Sequence, residues 1–233
     1  MRVVVFGASG STGRCVVEQA LAAGHEVAAV TRRPDAIPPR ARLTVLHADA
    51  NDPAEVAAAI AGGDAVLSAL GVSYTRKPVT VYSTGTANII DAVHRHAVDR
   101  LVVVSSAAID PDYHPSDSLA YTRVVEPFFM RRPGRTLYED ISRMEALVTG
   151  SDVGWTIVRS CWLYDAVDIS DFHLTDRTPR GMDTARSDLA ASMLRALADD
   201  RTIHKVIAVH TGAGTPGLAG QIWREGILRR KTR

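Results

Sequence analysis

The sequence lacks three features that would tie it to a particular environment. Its 233 residues include only 2 cysteines, Cys15 and Cys161, which excludes a disulfide framework and fits a reducing compartment. No uninterrupted apolar run approaches the roughly 20 residues that a membrane-spanning helix requires. The net charge is only +1, so no overall field favours a nucleic acid or an anionic membrane as partner. We therefore expect a small-molecule substrate, no nucleic-acid or membrane partner, and a monomer or homodimer.

The composition is typical of a globular protein. With 46% hydrophobic and 23% charged residues, the chain can bury one substantial core and still present a polar surface. Met1 and Arg2 lead straight into a short apolar stretch that Gly7 ends, which is unlike a signal peptide. We expect a single domain over residues 1–233 and a cytoplasmic location.

A glycine-rich stretch near the start is the strongest functional signal. It follows the apolar run 3–6 and precedes the apolar positions 15–17, an order that predicts a strand, a tight turn and a helix. Glycines let the backbone approach a pyrophosphate, and the free N–H groups and positive dipole of the helix start stabilise phosphates. The pattern predicts a dinucleotide site. Its candidate binding residues here are Gly7, Ser9, Gly10, Ser11, Thr12 and Gly13.

Strand-length apolar runs recur through the first half of the chain. They are nearly continuous rather than alternating, which is typical of parallel strands covered on both faces, and the segments between them have helical length. Right-handed helical crossovers between such strands give a Rossmann-type, doubly wound α/β sheet in three layers, with its ligand at the carboxyl ends of the strands. The runs lie at residues 3–6, 27–30, 43–46, 65–70 and 101–104.

The second half alternates regular segments with long connections. The segments 107–137 and 160–186 contain several prolines, and we predict that they are irregular loops on the substrate side. Residues 1–110 would then form the nucleotide-binding half and residues 111–233 the substrate-side half. The regular segments expected here are helices at 138–149 and 188–197 and strands at 155–158 and 206–209.

Two helices of the first half have recognisable signals. Asp52, Pro53 and Glu55 supply an N-cap, a first-turn proline and a carboxylate able to reach back to the helix start. Residues 84–97 carry apolar side chains at helical spacing. Both segments are therefore predicted to pack on the sheet as helices.

The residues after the second predicted strand indicate which coenzyme binds. An NAD-preferring protein usually carries Asp or Glu there to hold the ribose 2′-hydroxyl, whereas this chain has Arg32 and Arg33, which suit a 2′-phosphate. The alternative is that both arginines are solvated loop charges. We therefore predict NADP(H) as the cofactor.

The loops after the next two strands supply further cofactor candidates. Asp49 and Ala50 follow the third strand, where Asp49 either contacts the adenine edge or caps its own loop. Leu70 and Gly71 end the fourth strand, where the backbone is expected to pass beside the nicotinamide ribose.

These segments resemble the short-chain dehydrogenase/reductase superfamily, in its atypical branch of NAD(P)H-binding proteins that includes biliverdin reductase B and the NmrA-like sensors. The resemblance covers most of the chain and implies a Rossmann fold with a nicotinamide cofactor. It does not imply one substrate, because the branch includes reductases, isomerases and proteins with no known turnover. Besides the glycine stretch, it rests on Thr31-Arg32-Arg33, Asp49 and the segments STGTAN (83–88), VVVSS (102–106) and WTIVR (155–159).

The chain departs from the family pattern at two points. Ordinary members of the superfamily use Tyr-x-x-x-Lys, in which the lysine lowers the tyrosine pKa for proton transfer. No tyrosine here has a lysine four positions later, so standard alcohol dehydrogenase chemistry is not expected. The usual arginine-proline after the later strand is Arg159-Ser160, which leaves the geometry of the local substrate loop open.

Three residues are catalytic candidates. By resemblance, Ser106 matches the active serine of biliverdin reductase B and would contact the nicotinamide or substrate, or else merely cap its strand end. Glu145 occupies the place of that group's active-site histidine and is either a catalytic helper or a helix-surface residue. Tyr121 is a candidate aromatic wall for a flat substrate, or a packing residue. Ser105, beside Ser106, is assigned to the cofactor site.

We therefore expect an NADPH-dependent reductase that holds the nicotinamide against a flat electron acceptor such as a flavin or quinone. The alternative is a non-catalytic NADP(H)-sensing regulatory protein, and a nucleotide-sugar epimerase is less expected. No metal site is predicted, because His94 and His96 are two residues apart on a predicted helix and point to different faces.

Overall fold

A computed structural model describes residues 1–72, 75, 77–113, 135–176, 178 and 183–212. These residues form ten strands and five helices. The strands are β1 (Arg2–Phe6), β2 (Glu26–Thr31), β3 (Leu43–His47), β4 (Ala65–Ser68), β5 (Arg100–Ser106), β6 (Gly154–Ser160), β7 (Trp162–Tyr164), β8 (Phe172–Thr175), β9 (Asp183–Ala185) and β10 (Lys205–Thr211). The helices are α1 (Ser11–Ala22), α2 (Pro53–Ile60), α3 (Val81–Arg95), α4 (Arg135–Thr149) and α5 (Arg186–Leu197).

Eight of the strands form one sheet in the order β3-β2-β1-β4-β5-β6-β10-β8. The first seven strands in this order are parallel, and β8 runs antiparallel to β10 at one edge. The chain moves outward in one direction from β1 to β3 and in the other from β1 through β4. The predicted doubly wound sheet is therefore confirmed, and β7 and β9 form a separate parallel pair.

Apolar side chains on both faces of the sheet hold the helices in place. Because successive strand residues point to opposite faces, Val4 and Phe6 of β1 join one core cluster and Val3 and Val5 join the other. The first cluster also receives side chains from α2, α3 and α4, and the second receives them from α1 and α5. This arrangement confirms the three predicted layers and explains why the strand sequences are continuously apolar.

The local signals at the start of α2 act nearly as expected. The Asp52 side chain accepts hydrogen bonds from the backbone N–H groups of Ala54 (2.8 Å) and Glu55 (3.0 Å), with Pro53 in the first turn. The Glu55 carboxylate, however, accepts from the backbone N–H of Asp49 at 2.6 Å. Glu55 thus fixes the preceding loop instead of completing a capping box.

The prediction for residues 160–186 was wrong, because this segment contains β7, β8 and β9 as well as connecting loops. These strands have only three or four residues each, too few for a clear alternation of apolar and polar positions. Most of the other predicted loop, 107–137, lies outside the described residues, although α4 already begins at Arg135.

No helix in the described ranges has the length and apolar character needed to cross a membrane.

A buried carboxylate joins α3 to α4. Asp140 of α4 is 0% exposed and accepts hydrogen bonds from the backbone N–H groups of Tyr82 (2.9 Å) and Ser83 (3.3 Å), in the first turn of α3. The Ser83 hydroxyl and the Arg143 guanidinium also donate to Asp140. Since the N-cap residue Thr80 makes no side-chain cap, α3 depends on α4 for this stabilisation.

We predict that Asp140→Ala destabilises the protein by about 2 kcal/mol, because it leaves buried N–H groups of α3 without an acceptor and removes a cap. Denaturant unfolding measures the change. Glu139→Ala is the matched control, since this neighbouring carboxylate is 48% exposed and, in the part of the chain that the structure describes, pairs with Arg135 of its own helix alone. Equal stability losses in the two variants would contradict the capping role.

Candidate functional site

The turn between β1 and α1 has room for backbone only. Gly7 has φ +73°, and a Cβ built there would lie 2.4 Å from the Ala69 carbonyl oxygen. A Cβ on Gly13 would lie 2.1 Å from the Gly7 carbonyl oxygen. The turn closes with a hydrogen bond from the Gly10 N–H to the Gly7 carbonyl at 2.9 Å. Such a bare backbone turn at the start of a helix suits the close approach of a diphosphate.

The start of α1 differs in charge from the starts of three other helices. Gly10, its N-cap, provides no side-chain cap, and the first turn of α1 contains no acidic residue. In contrast, Asp52 caps α2, Asp140 caps α3, and buried Asp188 lies in the first turn of α5. Among these four helices, α1 therefore offers the uncapped N–H groups and unopposed dipole that an anion needs.

Two exposed arginines lie directly beyond β2. Buried Thr31 donates a hydrogen bond to the Ser9 hydroxyl at 2.7 Å and accepts one from the Arg33 backbone N–H at 3.0 Å. Thr31 thus joins the end of β2 to the glycine turn. The side chains of Arg32 and Arg33 are exposed, and within the described part of the chain neither forms an ion pair.

The loops after β3 and β4 lie beside the glycine turn, at the carboxyl ends of the strands. The Asp49 side chain accepts from the backbone N–H of Asn51 at 3.0 Å, so it caps its own loop, as one of the two sequence interpretations held. Ala50 is buried, and its methyl group and Leu70 both pack close to Gly85 of α3. The predicted cofactor residues of these loops therefore lie at the same sheet edge as the glycine turn.

Ser105, at the end of β5, contacts a buried carboxylate from α4. Its hydroxyl donates a 2.5 Å hydrogen bond to Glu145 Oε1. Arg159 of β6, paired in register with Ser105, also donates to Glu145, from Nε at 3.0 Å and from Nη2 at 2.8 Å. Of the two sequence interpretations, the helix-surface one is wrong, because Glu145 is only 8% exposed and the inner face of α4 places it against the strand ends.

Arg159 extends this network to a second carboxylate. Its Nη1 lies 3.0 Å from Asp110 Oδ2, which also accepts from the Thr178 hydroxyl at 3.3 Å. The hydrogen bond to Glu145 raises the pKa of Arg159 above its ordinary value, against the opposing effect of burial. Sequence reasoning missed the Arg159 and Asp110 pairing. The available signal was a charged residue near the end of a strand that is otherwise uncharged.

Ser106 and the remaining candidates have distinct positions. Ser106 is partly exposed, and its hydroxyl accepts a hydrogen bond from the Ala108 backbone N–H at 3.2 Å, so it caps the turn that follows β5. Cys161 is buried, and burial raises the pKa of its thiol to about 11, as in an unreactive, packed cysteine. Tyr121 lies outside the described residues.

Comparison with known proteins identifies similar chains. An uncharacterized chloroplastic protein of Arabidopsis thaliana is 26% identical over 229 residues, covering 92% of this chain and 78% of its own length. Other curated relatives are longer proteins. Their alignments cover 46% of this chain and between 12% and 32% of the relatives' own length.

Solved structures share the fold. A short-chain dehydrogenase/reductase of Veillonella parvula, in complex with NADP, has a TM-score of 0.74 at 18% identity and covers 93% of this chain and 95% of that chain. ChuY, an anaerobilin reductase of Escherichia coli O157:H7, has a TM-score of 0.70 at 21% identity and covers 93% and 100%. The model of the NAD(P)H-binding family matches residues 7–200. The chain belongs to this NAD(P)H-binding family.

Proposed function

We propose that the protein is an NADPH-dependent reductase that acts on a flat electron acceptor such as a flavin or quinone. The observation that carries the choice of NADPH is the pair of exposed arginines, Arg32 and Arg33, beyond β2 and beside the glycine turn. No carboxylate occupies the usual ribose-binding place in this loop, and a guanidinium forms strong, forked hydrogen bonds to phosphate.

The residues present fit a nicotinamide dinucleotide. The bare turn from Gly7 to Gly13 and the uncapped start of α1 would hold the pyrophosphate. Arg32 and Arg33 would hold the 2′-phosphate. Of the other proposed contacts, Asp49 and Ala50 would border the adenine, and Leu70, Gly71 and Ser105 the nicotinamide side.

The chain would act mainly by orientation and by exclusion of water. When bound, the reduced coenzyme would supply the hydride, that is, one proton with two electrons, and would leave as the oxidised, positively charged form. The partly exposed Ser106 would orient the acceptor through its hydroxyl, and the reduced acceptor would take its balancing proton from solvent. Glu145 would serve as a positioning residue, because its oxygens already accept from Ser105 and Arg159.

Two neighbours of the same fold support this proposal. One is a short-chain dehydrogenase/reductase in complex with NADP, and the other is named an anaerobilin reductase. Steady-state oxidation of NADPH, followed by absorbance with a panel of flavins and quinones, tests the activity. Tight NADPH binding with no oxidation across the panel would instead favour a non-catalytic NADP(H)-sensing protein.

The double variant Arg32→Ala with Arg33→Ala should weaken NADPH binding roughly tenfold to hundredfold, the effect of losing one or two charge-assisted hydrogen bonds to phosphate. NADH binding should change little, because NADH has no 2′-phosphate. Fluorescence titration with both coenzymes measures the difference.

Arg40→Ala is the control for general loss of positive charge, since Arg40 lies in the same β2–β3 connection but pairs with Glu18. It should leave the preference between NADPH and NADH unchanged. Equal losses for both coenzymes in the double variant would refute the assignment of the 2′-phosphate site.

Ser106→Ala should lower turnover with the acceptor by about tenfold, the effect of one lost orienting hydrogen bond, with little change in the Kd for NADPH. Ser106→Thr keeps a hydroxyl at this position and should retain most of the turnover. Thermal unfolding of both variants shows whether the loss of turnover comes instead from lower stability, since Ser106 also accepts the hydrogen bond from the Ala108 N–H. If Ser106→Ala leaves both the turnover and the saturation by acceptor unchanged, Ser106 does not orient the acceptor.

A further inference from the structure

Three ionisable side chains meet near the ends of β5 and β6, and two of them are acidic while one is basic. The carboxylates of Glu145 and Asp110 lie 2.8 Å and 3.0 Å from the same guanidinium, that of Arg159. Across the described residues, neither carboxylate pairs with a second cation. Among the described residues, two carboxylates thus share one guanidinium, and one negative charge has no cation paired with it.

Burial makes this charge effective beyond its immediate contacts. The side chains of Glu145, Arg159 and Asp110 are only 10%, 21% and 16% exposed. Solvent and salt therefore screen the charge less than they screen a surface carboxylate. A charged group brought to the same sheet edge would experience its field.

The triad lies toward the proposed nicotinamide side of the site. The glycine turn contacts the end of β4 at Ala69, and β5 and β6 are the next two strands. With neighbouring strands about 5 Å apart, the ends of β5 and β6 lie about 5 Å and 10 Å from that of β4. Arg159 is in register with Ser105, which we assign to the nicotinamide side.

We propose that the Glu145–Arg159–Asp110 triad makes the site favour oxidised, positively charged nicotinamide over the reduced, neutral ring. The inference rests on the proposed function, since it requires a bound nicotinamide coenzyme. The uncompensated charge attracts the ring only after the hydride has left. Tighter binding of the oxidised form makes the bound reduced coenzyme a stronger hydride donor, because a tenfold preference lowers the potential of this two-electron couple by about 30 mV.

Asp110→Asn tests the triad by removing one charge while keeping the shape of the side chain. The ratio of the Kd for NADP⁺ to the Kd for NADPH should rise about three- to tenfold, as expected for one charge roughly 10 Å away at intermediate effective dielectric. Calorimetric titration of each coenzyme into the full chain gives the ratio without any acceptor or turnover.

Two controls separate charge from structure. Asp112→Asn removes an exposed carboxylate two residues away and should change the ratio less than about twofold, because solvent screens it. Thr178→Val removes the hydroxyl that donates to Asp110 without changing any charge and should leave the ratio unchanged. Glu145→Gln neutralises the other carboxylate and should raise the ratio as Asp110→Asn does, so it carries the test if Asp110→Asn does not fold.

The outcomes are distinguishable from those of the proposed function. If the wild type binds neither coenzyme, the proposed function fails and this inference falls with it. If both coenzymes bind and neither neutral variant changes the ratio, the inference alone is overturned. A rise in Thr178→Val equal to that in Asp110→Asn would likewise overturn it, because loop geometry rather than charge would then set the preference.

Discussion

The close packing of backbone between Gly7, Gly13 and Ala69 is the constraint on which the rest of the structure depends. A Cβ on Gly7 would lie 2.4 Å from the Ala69 carbonyl oxygen, and one on Gly13 would lie 2.1 Å from that of Gly7. Only without side chains at these two glycines can α1 begin directly against the end of β1 while β4 passes alongside. The same contact brings the ends of the central strands together, so the fold and the proposed coenzyme site share one steric requirement.

Electrostatics then distinguishes among helix starts that are otherwise similar. Side-chain carboxylates stabilise the first turns of α2 and α3, and Asp188 lies in that of α5. Those carboxylates would repel a phosphate group. The first turn of α1 contains no carboxylate, and the exposed Arg32 and Arg33 directly follow Thr31, whose hydroxyl bonds to Ser9 of the glycine turn. Of the four helix starts compared, that of α1 is thus the best suited to an anion, although the protein has a net charge of only +1.

Local sequence patterns were sufficient to predict the secondary-structure elements whose residues interact mainly with their near neighbours in the chain. The apolar runs predicted the central strands to within two residues at their ends, and the Asp52-Pro53 pair predicted the start of α2. The site could be predicted only in part. The pairing of Arg159 with Glu145 depends on the register of β6 with β5 and on the docking of α4. Neither relation leaves a short-range sequence pattern.

The capping of α3 by Asp140 also links the two halves of the chain during folding. The carboxylate lies 58 positions after the Tyr82 amide that it accepts from, so the first turn of α3 is completed only when α4 has docked. Hydrogen exchange at the Tyr82 and Ser83 amides should therefore follow the opening of α4 rather than fraying of α3 itself. Those two amides, in the first half of the chain, therefore report on the docking of a helix from the second half.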